Sequence, residues 1–558
     1  MANLSQQKRE RMLAFLNKIK EEHKDDDETL IALDEIENEL NSKKYGLVWE
    51  KHEEEVDRMM QDNIPVFTEV KEREIKAKDE NSYNFLLEGD NLHSLRLLEK
   101  THAGKIDVIY IDPPYNTGNQ DFIYDDTFID KTDGYAHSKW LSFMSERLEI
   151  AKKLLSDDGV IFISIDDREQ AQLKLLCDSI FGEDNFIGNI CRATGTTTGQ
   201  DANKIGSSLD FAFVYRKTNS FILRGLPLSA KDLKRFNNVD GKGRYSTLQL
   251  RKTGNEDKRE DRPNMFYPVI APDGEKVYPF GPNGYLSRWR VSYDSYMQLK
   301  NDDMIIWKES NKTEEIEIDG IKKSKWIPYV KYYAEGRTKQ VSNLWVDIDG
   351  NKKASIDLKK ILEAKKFDYP KPVQLLKLFM LISSDKSATI LDFFAGSGTT
   401  AQAVLELNKE DGGNRKFILC TNNENNICEE VTYERIRRVI NGYADVEGIP
   451  ANLKYFKTDF IPKDADDVNK ELLSHIKEMV ELENGITLDN KHYLIVLSDE
   501  QADELAKNWS NYEDVKAIYV SRNVLFTSEQ DALFSNTEIH IIPDYYFEYE
   551  LKEVGETW

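Results

Sequence analysis

Two apolar runs of strand length, far apart in the chain, each break directly into a loop of distinctive chemistry. They constrain the fold more than any other feature of the sequence. The first, Ile106-Asp-Val-Ile-Tyr-Ile111, runs into Asp112-Pro113-Pro114-Tyr115. Its β-branched, nearly continuous apolar character is that of a strand covered on both faces in a parallel sheet, and two prolines stop it by withdrawing backbone donors. The second, Ala388 to Phe394, runs into Ala395-Gly396-Ser397-Gly398-Thr399-Thr400 and the helical Ala401 to Leu407. Glycines there let the backbone approach a ligand at a helix N-terminus, where unpaired N–H groups and the dipole favour a carboxylate or phosphate.

Side chains just beyond parallel strands face the ligand crevice. At the first loop an acidic side chain and free carbonyls can accept hydrogen bonds from an exocyclic NH2, and the Tyr115 ring offers a stacking face for an extruded base. A plain Asp-Pro turn is the bland alternative. The second loop carries only a GxG, with Ala401 where the dinucleotide fingerprint has its third glycine, so the nicotinamide reading stays open but is not preferred. No GxxxxGK[ST] occurs, which argues against a P-loop ATPase.

Strand-like runs alternate with helical spacing around both loops, which predicts a parallel, doubly wound α/β sheet. Asn84–Leu87, Ile106–Ile111 and Gly159–Ile165 read as strands, with a helix over 138–156; a strand over 417–420 and a helix over 432–440 follow the glycine loop. Neither block alone completes such a sheet, so the two are expected to fold together around an insertion that hangs over the crevice. The expected organisation is a helical arm over 1–80 with helices at 4–22 and 28–41, a first sheet block over 81–190, an insertion over 191–366, a second block over 367–455, and a small acidic α/β domain over 456–558. In this last part the spacing predicts a helix over 468–482.

The chain has 558 residues, enough for a large core and more than one domain, with no apolar stretch of membrane-spanning length and no signal core at Met1 to Glu10. A cytoplasmic protein with no membrane partner is the expectation. Cys177, Cys191, Cys420 and Cys428 lack CxxC spacing and read as reduced thiols, with no metal site. A formal charge of −24 contradicts a nucleic-acid footprint only until its distribution is read. Residues 191–370 carry 33 Lys and Arg against 24 Asp and Glu, a surplus of +9, while residues 1–80 sum to −8 and 461–558 to −14. The acidic flanks read as solvated faces.

Asp-Pro-Pro-Tyr followed far downstream by Asp392-Phe-Phe-Ala-Gly-Ser-Gly-Thr-Thr400 resembles the β group of S-adenosylmethionine-dependent DNA amino-methyltransferases, in which the catalytic motif precedes the cofactor motif. Leu87-Glu-Gly-Asp-Asn-Leu92, Asn116-Thr-Gly118, Asp121 to Phe128, Asn343-Leu-Trp345, Asn351-Lys-Lys353, Phe367-Asp-Tyr-Pro-Lys-Pro372 and Lys416 to Glu424 extend the likeness over roughly residues 45 to 445. Together they are similar to the modification subunit of type III restriction-modification systems. The resemblance implies a circularly permuted methyltransferase fold of the Rossmann-like type, with the insertion as target-recognition domain. It also implies S-adenosylmethionine as cofactor, duplex DNA as substrate, a homodimer, and a separate helicase-nuclease restriction subunit as a possible partner.

On this resemblance Asp112, Pro113, Pro114 and Tyr115 are the catalytic candidates. Asp392, Phe394, Ala395, Gly396, Ser397, Gly398 and Thr399, with Lys371 and Pro372 before them, are the cofactor candidates. Glu424, after the strand at 417–420, is placed to bind ribose hydroxyls, with Asn422, Asn423 and Glu429 as competitors. Asp90 either approaches the cofactor adenine or caps the helix that begins near Leu92. For DNA the candidates are Asn116, Arg251, Lys252, Arg288, Arg290, Lys331 and Arg337, since Arg and Lys suit phosphates or guanine edges and Asn suits adenine. Adenine-N6 methylation is the leading activity; cytosine-N4 methylation and a catalytically silent DNA-recognition subunit are the alternatives. Asp at position 112 leans toward adenine, because cytosine members more often carry Ser there.

Overall fold

The computed structural model describes residues 4–24, 26–41, 49–50, 52–117, 123–124, 127–128, 133–195, 206–310, 315–553 and 555. Of the stretches quoted above, Gly118, Asp121, Phe122, Asp125, Asp126 and the Gly/Thr-rich start of the insertion at 196–205 lie outside the described residues. Two compact units emerge: residues 1–223 with 342–558, and Arg224–Val341.

The larger unit is built on a ten-stranded sheet. Its strands in chain order are β1 (Asn63–Glu69), β2 (Asn84–Glu88), β3 (Ile106–Ile111), β4 (Leu155–Ile165), β5 (Phe186–Ala193), β6 (Leu209–Arg216), β7 (Leu344–Trp345), β8 (Thr389–Asp392), β9 (Lys416–Thr421) and β10 (Leu453–Pro462). Across the sheet they run β1-β10-β2-β9-β8-β3-β4-β6-β5-β7. From β10 to β4 all neighbours are parallel, whereas β1, β6 and β5 pair antiparallel. The two strands between β2 and β3 arrive only after residue 388, so both blocks do fold into one sheet.

Side chains explain the register. Asp107, the one acidic residue of β3, accepts the Thr389 backbone N–H at 2.7 Å and so fixes where β8 begins. At the other side Asn84 of β2 accepts the Phe417 N–H at 3.0 Å and donates to the Asn452 carbonyl at 3.0 Å, clamping β9 and β10 to itself. The apolar runs then pack as predicted: Ile109, Ile111, Leu391 and Ile418 belong to one core with Trp140, Met144 and Leu148 of helix Ala136–Leu154.

Several expected boundaries move. The N-terminal arm has its two helices, Leu4–Glu22 and Asp27–Asn41, but β1 belongs to the sheet. The insertion is narrower than 191–366: residues 209–216 pair antiparallel with β4 and Leu344–Trp345 pair with β5, so both flanks finish the main sheet, and the separate unit is Arg224–Val341. That unit has its own antiparallel sheet, Asn238–Asp240, Gly243–Gln249, Trp326–Tyr333 and Ile305–Glu309, and its own core around Leu250, Val269, Val277 and Trp289.

Nor is the C-terminal region an appendage. Val468, Leu472, Ile476, Met479 and Val480 lie in the same core as β3 and β8, ahead of a small parallel sheet of Tyr493–Val496, Ala517–Ser521 and Glu538–Ile542. The helix expected over 468–482 is two, Val468–Ser474 and Ile476–Asn484, broken where His475 Nδ1 meets the Phe67 carbonyl of β1 at 2.9 Å. Lys454 of β10, fully buried, bridges Glu69 of β1 at 2.5 Å and Glu481 of the second helix at 2.7 Å. Removing the cation leaves both carboxylates, among the described residues, with only the more distant Lys477 as a cation, 3.7 Å from Glu69 and 3.5 Å from Glu481. Lys454→Ala is therefore expected to lower the unfolding free energy by about 3–5 kcal/mol, read from urea titration, with the C-terminal helices and the sheet melting in one transition.

Candidate active site

β3 and β8 are adjacent and parallel, with Val108 opposite Ile390 and Ile109 opposite Leu391, so Asp112 and the Phe393–Gly398 loop leave the sheet side by side. β9 and β2 end on the same edge, which adds Asn422 and Gly89-Asp90 to the row. This is the crevice that parallel strand ends create.

At its centre the Asp112 carboxylate accepts three hydrogen bonds. Lys371 Nζ donates to Oδ1 and Oδ2 at 2.7 and 2.8 Å, and the Tyr115 hydroxyl donates to Oδ1 at 2.8 Å. Lys371 Nζ also lies 2.7 Å from the Tyr115 oxygen and 4.9 Å from its ring centroid. Lys371, expected among the cofactor residues, is thus 7% exposed and spends its three N–H groups on Asp112 and Tyr115. Burial and the Asp112 charge hold the Tyr115 phenol well above its ordinary range, so it stays a donor. Pro114 gives its carbonyl to the buried Trp140 indole at 2.7 Å. The Pro113 carbonyl accepts no hydrogen bond from the described residues.

The glycine loop is supported from beneath. Asp392 accepts the Phe394 N–H at 3.1 Å and the Thr400 hydroxyl; burial pushes its carboxyl up to about 7, against the lowering effect of those two donors. Gly396 and Gly398 have φ of 47° and 71°. A Cβ on Gly398 meets Thr432 Cγ2 at 3.1 Å and one on Gly396 meets the Phe367 ring at 3.3 Å, so both positions demand glycine. Thr432 reaches back to the Gly396 carbonyl from a π-helical turn, Ile427–Tyr433, that replaces the start of the expected 432–440 helix. Ser397 and Thr399 do not face the crevice with free hydroxyls: the buried Arg435 donates to the Ser397 carbonyl and Oγ, each at 3.1 Å, and to Thr399 Oγ1 at 2.7 Å. Burial lowers that guanidinium to about 10, still cationic at neutral pH. Phe394 and Ala395 follow at the strand end, with Phe394 5.8 Å from the Phe143 ring, and Pro372 caps helix Val373–Ser383.

Asp90 takes the capping alternative, accepting the Leu92 N–H at 2.7 Å. Arg147, fully buried, donates to Asn91 at 2.5 Å, Glu54 at 2.7 Å and Asp90 at 3.4 Å, while Asn91 donates to the Phe393 carbonyl at 2.8 Å. One arginine thereby ties the β2 exit to the β8 exit. After β9, Asn422 donates to Glu424 at 2.8 Å, and Glu429 instead pairs with Arg73 at 2.9 Å. Arg147, Arg435, Trp140 and Glu169 escaped sequence reading. For the two arginines the signal was a charge on an otherwise apolar helix face: Arg147 shares the face of Trp140, Met144 and Ala151, and Arg435 that of Thr432 and Val439.

The DNA candidates divide. Asn116, at φ 56°, is held by the buried Glu169 at 2.6 Å and the Ala136 carbonyl at 3.3 Å. Arg251 and Arg288 are not surface groups: each is under a tenth exposed, Arg251 binding Asp257 at 3.2 Å and Arg288 the Glu256 carbonyl at 2.6 Å, because they hold the loops around Trp289. Lys331 is spent on Asp240 and Asp303 at 3.0 and 2.9 Å. Arg290, half-buried, donates to Gln249 O and Thr253 Oγ1. Lys252 is half-buried, and Arg337 is exposed and stacked 3.5 Å over the Tyr332 ring.

With this geometry in place, residues 106–433 match the family model described as "DNA methylase". The chain belongs to this family. It is 34% identical over 398 residues to the Mod subunit of the type III restriction-modification enzyme StyLTI of Salmonella typhimurium, covering 65% of this chain and 58% of the relative. It is 30% identical over 518 residues to the EcoPI Mod subunit of Escherichia phage P1, covering 85% and 78%, and 36% identical over 390 residues to the type II methyltransferase M.KpnI of Klebsiella pneumoniae, covering 67% and 87%. The chain thus spans under two thirds of the length of the first of these. S-adenosylmethionine is the donor of such methylases, and the strand ends here bring a glycine turn at a helix N-terminus together with the Asn422-to-Glu424 exit of β9. Among the described residues no helix is long and apolar enough to cross a membrane.

The raised Asp392 carboxyl makes a signed prediction. The folded state holds this proton up to about pH 7 and the unfolded chain loses it near 3.9, so the group's stabilisation is complete at low pH and is lost as pH rises through about 7. Wild-type stability relative to Asp392→Asn should fall by roughly 1.4 kcal/mol per pH unit between about 4 and 7, measured by denaturant unfolding at stepped pH.

Proposed function

We propose that the protein transfers a methyl group from S-adenosylmethionine to adenine N6 in duplex DNA, as the modification and specificity subunit of a type III restriction-modification system in the cytoplasm. The observation that carries the reading is the placement of an anionic Asp112, at the end of β3, beside the glycine loop that ends β8. An adenine amine is a poor nucleophile because its lone pair is delocalised into the ring. Asp112 and the Pro113 carbonyl accept its two hydrogens, localising the lone pair and stabilising the positive charge that develops on nitrogen. Reaching them requires the base to leave the helix, and the Tyr115 ring provides the stacking surface. S-adenosylmethionine supplies a methyl on a good leaving group, and the residues of the two loops supply the alignment.

Residues 224–341 are the target-recognition domain in this reading. Support comes from the basic surplus of the central chain and from the stacked Arg337 and half-buried Arg290 and Lys252. The relatives named as Mod subunits of type III enzymes support a restriction subunit as partner, and a homodimer is proposed with it.

Asp112→Ala is expected to abolish methylation, by about three orders of magnitude or more in single-turnover rate, with DNA binding retained. Nucleoside mass spectrometry of methylated DNA should show N6-methyladenine. N4-methylcytosine in its place, or modification unchanged in the variant, defeats the proposal.

A further inference from the structure

Resting on that reading, we infer that Lys371 is a positioning residue of the methyl-transfer step and not a cofactor ligand: it fixes the Asp112 carboxylate and leaves it one open acceptor position for the target amine. The count of acceptors carries the inference. A carboxylate has about four lone-pair positions and a carbonyl about two. Among the described residues three of those on Asp112 are filled, two by Lys371 and one by Tyr115. Of the neighbouring proline carbonyls, Pro114's gives one of its two positions to Trp140, and Pro113's accepts nothing among the described residues.

The last place on Asp112 and the wholly unoccupied Pro113 carbonyl beside it match the two hydrogens of one NH2 group. Without Lys371 only the Tyr115 hydroxyl holds the carboxylate, which can then turn about its Cβ–Cγ bond and offer either oxygen, so the amine loses its fixed approach. The ammonium suits the task because its three donors reach Oδ1, Oδ2 and the Tyr115 oxygen at once, at 2.7, 2.8 and 2.7 Å, and because at 7% exposure water does not compete for them. Lys371 precedes helix Val373–Ser383 and lies 259 residues from Asp112 in sequence, so the contact also locks the two sheet blocks together at the reacting centre.

The test compares full-length wild type with Lys371→Met and Lys371→Arg in four measurements. These are S-adenosylmethionine affinity by calorimetry, thermal stability, fluorescence of 2-aminopurine at the target position as a report of base extrusion, and the single-turnover rate at saturating cofactor and DNA. Lys371→Met should slow the single-turnover step by about 100-fold while cofactor affinity stays within about threefold and the 2-aminopurine signal persists. Lys371→Arg, whose planar guanidinium can still bind both oxygens, should recover at least about a tenth of the wild-type rate. Cofactor affinity weakened about tenfold or more, with the saturated rate intact, overturns the inference in favour of a cofactor ligand. A saturated rate within threefold of wild type in Lys371→Met overturns it outright, and equal losses in both variants with a matching fall in melting temperature assign Lys371 to folding. Failure of the wild-type enzyme to form N6-methyladenine sinks the underlying reading, and this inference with it, before any variant is made.

Discussion

The parallel pairing of Ile106–Ile111 with Thr389–Asp392 is the constraint on which the rest depends. It is set by buried apolar runs on both strands and by a single directed bond, from the Thr389 N–H to Asp107, that pins their relative height. A slip along the strands would carry Asp112 away from the glycine loop and from Lys371, since the three meet only because both strands stop at the same level. Hydrophobic burial supplies the driving force, but it is insensitive to direction and tolerant of small displacement. The polar contacts confer the alignment: Asp107 at the start of the pair and Lys371 with Asp112 at its end.

Buried arginines do similar work around the crevice. Arg147 joins the exits of β2 and β8 through Asp90 and Asn91, and Arg435 holds the glycine turn by its carbonyl and hydroxyls. In a low-dielectric interior such fully bonded groups are rigid, because any departure leaves a charge or a donor without a partner. The loop at 393–398 is irregular and glycine-containing, and its stiffness comes from the guanidinium groups packed behind it and little from the loop itself.

Much of this was legible in the sequence, for physical reasons. Continuous apolar runs bounded by prolines or glycines are hard to place anywhere but in a two-sided parallel sheet, which is why β3, β8 and β9 were found with near-correct ends, and β4 was found apart from its first four residues. β1 and β10 were missed: each carries polar residues, such as Glu69 and Lys454, that the fold buries against one another, so no apolar run announces them. The insertion was drawn too wide because β6 and β7 join the sheet through pairings that composition does not reveal. The breaks from strand to loop at Asp112 and before Gly396 were legible. Side-chain partners were not, since Lys371 looked like part of a cofactor element and Arg251 and Arg288 like free cations, and only tertiary contact shows what each one touches.

The interleaved strand order has a bearing on how the chain is made. β2 and β3 leave the ribosome with a gap between them that only β8 and β9 can fill, and those follow about three hundred residues later. At roughly 5–20 residues per second this is an interval on the order of fifteen to sixty seconds, during which two strongly apolar strand edges stand unpaired in the nascent polypeptide. A nascent chain with this strand order is exposed to mispairing for the whole of that interval.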